Sequence, residues 1–395
     1  MGPMRIAFLY HFDDDAWAGG RNYLSSLFSA LNDADREIDL LLLAGHKIRT
    51  TLPAEHPYLE VVRTSLLDRG HPAWVIRQAL RRLRGAGLDP LFGALLRRLR
   101  VDVLSHSQAL RGRRSDAKLI GWVPDFQFMR LPHLWSSSEL ARMRQGLEET
   151  CRDSDALIVS SRDALKDLRT FVPGCTKPVH VLHFAPKRTD TSRLRSASDI
   201  RSRYELPEDY FLLANQFWIH KNHRLVVDAL IEMNRSGKEV TVVCTGTPTD
   251  PRHPDHVDKL IAHAAAHGVA ANFRILGAIP YGDMLSLMKH SVAVINPSRF
   301  EGWSTSVEEA KAMGKRVLLS DLAVHREQDP PGAAYFGVDD PLALAQALQA
   351  CADLPRQEPD DAQLALRSAQ NQREFALGYL KIVDSLESTT ASSVA

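Results

Sequence analysis

The sequence predicts an α/β protein made of two Rossmann-like halves, and three observations carry that expectation. At 395 residues the chain is too long for one ordinary core, so two domains are expected. Near the start, Arg5 to Phe12 (RIAFLYHF) is an apolar strand followed by Gly19-Gly20 and an amphipathic helix. Tyr23, Leu24, Leu27, Phe28 and Leu31 recur there at helical spacing, the pattern with which a Rossmann half opens. Far along the chain, Ser291 to Ser320 (SVAVINPSRFEGWSTSVEEAKAMGKRVLLS) reads as strand, loop, helix, turn, strand. Ser291 to Asn296 is a β-branched run stopped by Pro297, and Arg299 to Trp303 is a Gly-bearing loop. Thr305 and Glu308 have capping-box spacing, with Ser306 and Glu309 one residue behind, so a helix is expected from near Ser306 to Gly314.

Composition fits a globular protein, with 44% hydrophobic and 25% charged residues. Net charge is +1 but uneven: residues 1–185 hold 26 Lys and Arg against 21 Asp and Glu, net +5. The remainder holds 23 against 27, net −4, so the first half is the one expected to face an anionic surface. Cys151, Cys175, Cys244 and Cys351 lack disulfide or metal-ligand spacing, which suits a reducing cytoplasm. No apolar run approaches the length of a membrane span.

Taken in order, Ile38 to Ala44 and Leu59 to Val62 are expected strands. Trp74 to Arg100 then interleaves seven arginines (77, 81, 82, 84, 97, 98, 100) with Trp74, Ile76, Leu80, Leu83, Leu91, Phe92 and Leu95. A break over Gly85 to Pro90 splits this stretch into two basic amphipathic helices. Such a pair suits peripheral contact with an anionic membrane. A helical pair packed on the sheet, with its arginines in water, is the alternative. No nucleic-acid-binding motif accompanies the charge, so no nucleic-acid partner is expected.

Val101 to Ser105 and Lys118 to Val123 continue the sheet, and the second ends in Pro124-Asp125-Phe126-Gln127. That is a strand's carboxyl edge, where open α/β sheets bind ligands. Ser138 to Arg152 reads as a charged helix, Ala156 to Ser160 as a strand, and Ser161 as the cap of the next helix. Val179 to His183 closes the first half. Polar, basic Ala185 to Arg203 is the expected linker. The domains are thus placed at 1–185 and 186–375, with 376–395 a terminal helix (Phe375 to Leu386) and a disordered tail from Ser388.

The second half opens with the strand Tyr210 to Asn215, then Lys221-Asn222-His223 just before a helix. Val240 to Thr245 and Asn272 to Pro280 are further strands, and Tyr281 to Lys289 a helix. His253 and His256 have no tight carboxylate cluster around them, so no metal site is expected there. The helix start near Ser306 offers hydroxyls and unpaired backbone N–H groups, which attract phosphate. Glu301 and Glu309 flank it. A carboxylate beside phosphate is unfavourable unless it serves another group, and sugar hydroxyls are the natural one. The residues therefore suggest a ligand with phosphates in the middle and hydroxylated rings at both ends.

Glu301-Gly302-Trp303 followed by Glu309, Ala310, Ala312, Met313 and Gly314 resembles the Glu-x7-Glu signature of family-4 retaining glycosyltransferases. The resemblance is strong over 270–325, moderate over 210–225 and 119–131, and weak before residue 100. It implies a GT-B architecture, two Rossmann-like domains with parallel sheets facing an interdomain cleft. It places Glu301 by the donor sugar and Glu309 on the nucleotide ribose. The family's Gly-Leu-Pro after the aromatic residue is Ser304-Thr305-Ser306 here, so Ser304 and Thr305 line the phosphate site. Gly19 and Gly20 match a Gly-Gly loop that faces the donor diphosphate. Leu276, Gly277 and Ile279 match the segment that holds the nucleotide base through its backbone.

Two departures accompany the resemblance. The family's Arg, five residues before its Lys, is Gln216 here, while Lys221 matches. Losing one charge-assisted contact weakens binding by about 1.5–3 kcal/mol unless another cation, such as His220 or Arg299, compensates. The family's sugar-contacting His is replaced by Pro124-Asp125, so Asp125 or Gln127 supplies that contact.

The implied activity is transfer of a hexose with retention of configuration, from a nucleotide-diphosphate sugar to a glycan or lipid-linked glycan. NQFWIHKNH and PDFQ resemble bacterial polysaccharide mannosyl- and hexosyltransferases, which makes GDP-mannose the first donor to test. No cofactor is implied beyond that donor. No metal-binding Asp-x-Asp signature sits where one would be needed, so Lys221, helix N-termini and the Gly19-Gly20 amides would neutralise the leaving diphosphate. The expected location is cytoplasmic, with the basic helices available to the membrane's inner face. A sugar-nucleotide 2-epimerase of the same fold and an inactive nucleotide-sugar-binding subunit are the alternatives.

Overall fold

Three consecutive residues of the first strand, Ile6, Ala7 and Phe8, are fully buried. Neighbours along a strand point to opposite faces, so this sheet is covered on both sides, as parallel sheets are. The computed structural model that shows this describes residues 3–14, 18–83, 89–107, 117–187, 189–356 and 360–391. The chain divides into two units, Met1–Lys187 with Ala369–Ala395, and Arg188–Ser368.

In the first unit, β1 (Met4–Tyr10), β2 (Ile38–Ala44), β3 (Glu60–Arg63), β4 (Val103–Ser107), β5 (Lys118–Val123), β6 (Ala156–Val159) and β7 (Val179–Val181) form one sheet. Its order is β3-β2-β1-β4-β5-β6-β7, and every pairing is parallel. The second unit holds β8 (Phe211–Ala214), β9 (Val242–Thr245), β10 (Phe273–Gly277), β11 (Val294–Asn296), β12 (Val317–Ser320) and β13 (Ala334–Phe336). These pair in parallel in the order β10-β9-β8-β11-β12-β13. Phe211, Leu213, Val242 and Cys244 enter one apolar cluster and Leu212 and Val243 another, so this sheet too is buried on both faces. Both are Rossmann-like sheets with the order reversing once, between β1 and β4 and between β8 and β11.

The structure departs from the sequence reading at several points. Gly19 and Gly20 do not form a loop before the helix but lie in the first turn of the helix Ala18–Asn32. The expected linker contains a helix, Ala197–Tyr204, capped by Ser196 Oγ accepting from Asp199 N at 3.2 Å and anchored by fully buried Ile200. At the other end a single helix runs Asp361–Ala391, beyond Ser388, and residues 392–395 lie outside those described. From Ala369 onward it counts with the first unit. There Tyr379 stacks on Phe8 at 6.1 Å, and Gln372 Nε2 donates to the carbonyls of Ala185 (2.6 Å) and Pro186 (2.9 Å).

The basic stretch forms helices Pro72–Leu83 and Pro90–Arg98; most of the expected break, residues 84–88, lies outside those described. Arg77 is no surface cation. It is buried, pairs with Asp89 at 2.6 Å, donates to the Leu66 carbonyl at 3.0 Å and lies over the Phe92 ring at 4.8 Å. Arg97, Arg98 and Arg100 are exposed, as are Val75 and Ile76. No helix among the described residues is long and apolar enough to cross a membrane.

Candidate active site

Open parallel sheets bind ligands where the strand order reverses, because the connections leave opposite faces there and a crevice opens at the carboxyl ends. In the second unit that point lies between β8 and β11. Asn215, just past β8, donates from Nδ2 to Oδ1 of Asn296, the last residue of β11, at 3.4 Å. Past β8 the chain makes a short 3-10 turn, Ile219–Lys221, and Asn222 follows in the left-handed region at φ +57°. Asn222 Nδ2 donates to the carbonyls of Pro297 (3.1 Å) and Val338 (2.9 Å), and Arg299 N donates to His220 O at 2.8 Å. The loop after β8 is thereby zipped to the loop after β11.

The zip brings Lys221 onto Glu301. Lys221 Nζ donates to both carboxylate oxygens, at 2.7 and 2.8 Å, and the two side chains are 13% and 8% exposed. Burial by itself would raise the Glu301 pKa. The charge of Lys221 and the bonds from Lys221 and Ser298 outweigh it and hold the carboxyl at about 2. Ser298 Oγ donates to Glu301 Oε1 at 2.7 Å, and Asn296 Nδ2 donates to Ser304 Oγ at 2.7 Å and Glu301 Oε1 at 3.3 Å.

Ser304, not Thr305 or Ser306, caps the helix, which runs Thr305–Ala312; its Oγ accepts from Val307 N at 3.4 Å. The expected capping box does not form. Glu308 instead accepts from Gln328 Nε2 at 3.0 Å and from Lys311 Nζ at 3.4 Å. Gln328 also braces the cap, accepting from Ser304 N (3.3 Å) and donating to Ser304 O (2.9 Å). The amides of Thr305 and Ser306 remain as first-turn donors. Glu309 is buried further along, with Tyr281 Oη donating to Oε1 at 2.8 Å; burial lifts its pKa to about 7 against the pull of that bond.

Gln216 also sits past β8. Its Oε1 accepts from Thr247 N at 2.8 Å, which leaves its Nε2 hydrogens to donate elsewhere. Gly246 makes this approach possible: at φ +117°, a Cβ there would stand 2.4 Å from the Asn215 carbonyl oxygen. Gly246 N donates to Gly277 O at 2.9 Å, drawing in the half-buried segment with Leu276, Gly277 (φ +74°) and Ile279. Of the two candidates for a compensating cation, burial and the Lys221 charge push the His220 pKa down to about 3, so it is neutral, while Arg299 is exposed and pairs with exposed Asp339.

Lys221, Glu301 and Ser304 therefore share one network, with Thr305 and Glu309 on the helix it caps. Asp125, Gly19 and Gly20 belong to the first unit, past β5 and β1. Asp125 Oδ1 accepts from Gln127 N at 2.9 Å and so shapes the turn into the helix Gln127–Arg130. Among the described residues no three His, Cys, Asp or Glu side chains converge as a metal site. Sequence reading missed Asn296, Ser298, Tyr281, His325 and Gln328. The Asn-Pro-Ser after β11 was the available signal for the first two. His325 and Gln328 lie on a six-residue helix, Ala323–Gln328, too short for periodicity to reveal.

Residues 197–350 match the family model for glycosyl transferases group 1. D-inositol 3-phosphate glycosyltransferase 1 of Catenulispora acidiphila is 25% identical over 269 residues, 65% of this chain and 59% of the relative. O-antigen chain mannosyltransferase RfbU of Salmonella typhimurium is 25% identical over 149 residues, 38% of this chain and 40% of the relative. The aligned parts thus span less than two thirds of either relative. Among solved structures, Anabaena HepE in complex with UDP and glucose superposes with a TM-score of 0.64 at 17% identity, over 98% of this chain and 100% of that one. Residues 197–350 thus match the glycosyl transferases group 1 model, in a chain whose two parallel-sheet, Rossmann-like domains have the GT-B fold.

Proposed function

We propose that this protein is a retaining glycosyltransferase that moves a hexose from a nucleotide-diphosphate sugar to a glycan or lipid-linked glycan, without a metal ion. The observation that carries the reading is the Lys221–Glu301 pair at the β8/β11 reversal, beside the first turn of Thr305–Ala312. A cation, two helix amides and a buried ionised carboxylate are the groups that a diphosphate leaving group and a sugar developing positive charge require. The bond from C1 to the phosphate oxygen breaks as the bond to the acceptor oxygen forms on the same face, and the acceptor's proton passes to the leaving phosphate. Lys221 and the Thr305 and Ser306 amides take the charge growing on the diphosphate. Glu301 orients the sugar and stabilises the cationic ring, and Glu309 receives the ribose hydroxyls. Leu276 to Ile279 face the base.

Mannose is the first sugar to test, supported by the O-antigen chain mannosyltransferase among the relatives. The HepE complex supports a nucleoside diphosphate ligand. The exposed Arg97, Arg98 and Arg100 support peripheral contact with an anionic membrane on its cytoplasmic face. The test is a thermal-shift screen of nucleoside diphosphates, then incubation with GDP-mannose and other donors, alone and with glycan acceptors. Specific binding stabilises by mass action. Glycoside formation with retained configuration is expected, with slow hydrolysis of donor alone. An epimerised donor would instead show the epimerase, and tight binding without turnover over any acceptor would show a binding subunit.

A further inference from the structure

His325 is fully buried, and its bonds fix its tautomer. Its Nδ1 lies 2.8 Å from the Ser320 carbonyl oxygen, which only accepts, so Nδ1 carries the proton. Nε2 then bears a lone pair, buried and without a hydrogen-bond partner among the described residues. An unpaired buried acceptor costs free energy unless it serves some other state of the protein. His325 is tied to Glu301 through two serines. Ser320 Oγ donates to Ser298 O at 2.6 Å, and Ser298 Oγ donates to Glu301 Oε1 at 2.7 Å.

The charged groups that act on His325 are Glu301, which favours its protonation, and Lys221, which opposes it along with burial. Arg326, next in the chain, is occupied by Asp321 and by the Tyr335 ring. Two of the three Lys221 donors are committed to Glu301. A diphosphate that recruits Lys221 would withdraw the charge balancing a nearly buried carboxylate. Breaking a buried pair is costly because it strands a charge, and the usual escape is a proton. Either Glu301 takes that proton and loses its charge, or a neighbour takes it and Glu301 stays ionised.

We propose that His325 is the positioning residue that takes up this proton at Nε2, keeping Glu301 ionised when the charge of Lys221 is drawn away. This rests on the reading of Lys221 as the diphosphate partner, but it can be tested without a donor. Histidine NMR on ring-labelled protein follows the His325 imidazole, identified by its absence in His325→Asn, which keeps a donor for the Ser320 carbonyl. In wild type His325 stays neutral near pH 7. In Lys221→Ala its apparent pKa should rise by about one unit or more, roughly a tenfold gain in proton affinity. Lys221→Ala/Glu301→Gln should abolish the rise, whereas a rise that came only from losing the Lys221 charge would persist in the double variant. Lys221→Met, apolar and of similar length, repeats the test should the alanine variant be unstable. An unchanged His325 in folded Lys221 variants overturns the proposal, since Glu301 must then take the proton. Wild type titrated with GDP-mannose separates the two readings. A shift in the lysine variants with no response to bound donor upholds the role of His325 and rejects Lys221 as the diphosphate partner. Donor binding with no shift in either overturns the role of His325 alone.

Discussion

Glu309 offers a prediction whose size follows from its surroundings. The residue is buried, 6% exposed, and the hydrogen bond from Tyr281 favours the ionised form too weakly to offset burial. The carboxyl pKa therefore stands at about 7, against an ordinary 4.5. The sign follows from proton binding: between these two values the folded protein holds a proton that the unfolded chain has lost. Stability from this group is fully present below 4.5 and is lost as pH rises to about 7. At about 1.4 kcal/mol per pKa unit, the loss is about 3 kcal/mol. Glu309→Gln keeps an oxygen for the Tyr281 hydroxyl and cannot ionise. Relative to wild type it should gain about 3 kcal/mol between pH 4.5 and pH 8, other groups cancelling in the difference. Urea unfolding of both proteins across that range measures it. The same carboxylate is proposed to receive the ribose, so wild-type affinity for a nucleotide sugar should rise through pH 7, whereas that of Glu309→Gln should be weaker and flat. Coincident pH profiles of stability would refute the burial reasoning, and equal nucleotide affinity would refute the ribose assignment.

Gly246→Ala puts a methyl group 2.4 Å from the Asn215 oxygen at φ +117°, so urea unfolding should show a loss of at least about 1–3 kcal/mol from backbone strain; undiminished stability would refute the close approach. Gln216→Arg should tighten a nucleoside diphosphate more than a monophosphate, because the added charge meets the distal phosphate. An unchanged affinity ratio by calorimetry would show that residue 216 does not face the phosphates. Replacing exposed Arg97 and Arg98 with Gln should weaken low-salt binding to anionic vesicles by roughly 1 kcal/mol per residue. A wild-type protein that ignores such vesicles would refute the membrane contact.

The sequence determined the local elements. Apolar runs marked most strands to within a few residues, and β2 (Ile38–Ala44) and β5 (Lys118–Val123) were placed with their observed ends. Glu301 and Glu309 were legible because both lie within one strand-loop-helix unit whose periodicity is local. Tertiary structure decided what those residues meet. Lys221 and Glu301 are 80 positions apart and pair only because β8 lies beside β11. That strand order is a property of packing, which neighbouring residues do not encode. His220 looked like a cation beside Lys221, yet burial makes it neutral. Arg77 looked like part of a basic face, yet it fills a buried pair with Asp89. The C-terminal helix returns to the first unit because Phe375 and Tyr379 find apolar partners there, Phe184 and Phe8, that lie far away in sequence. His325 and Gln328 had no periodic signal at all, and only their contacts with Ser320, Ser304 and Glu308 bring them into the site. Periodicity reports which way a side chain faces within its own element; which charge or carbonyl it then meets depends on how distant elements pack.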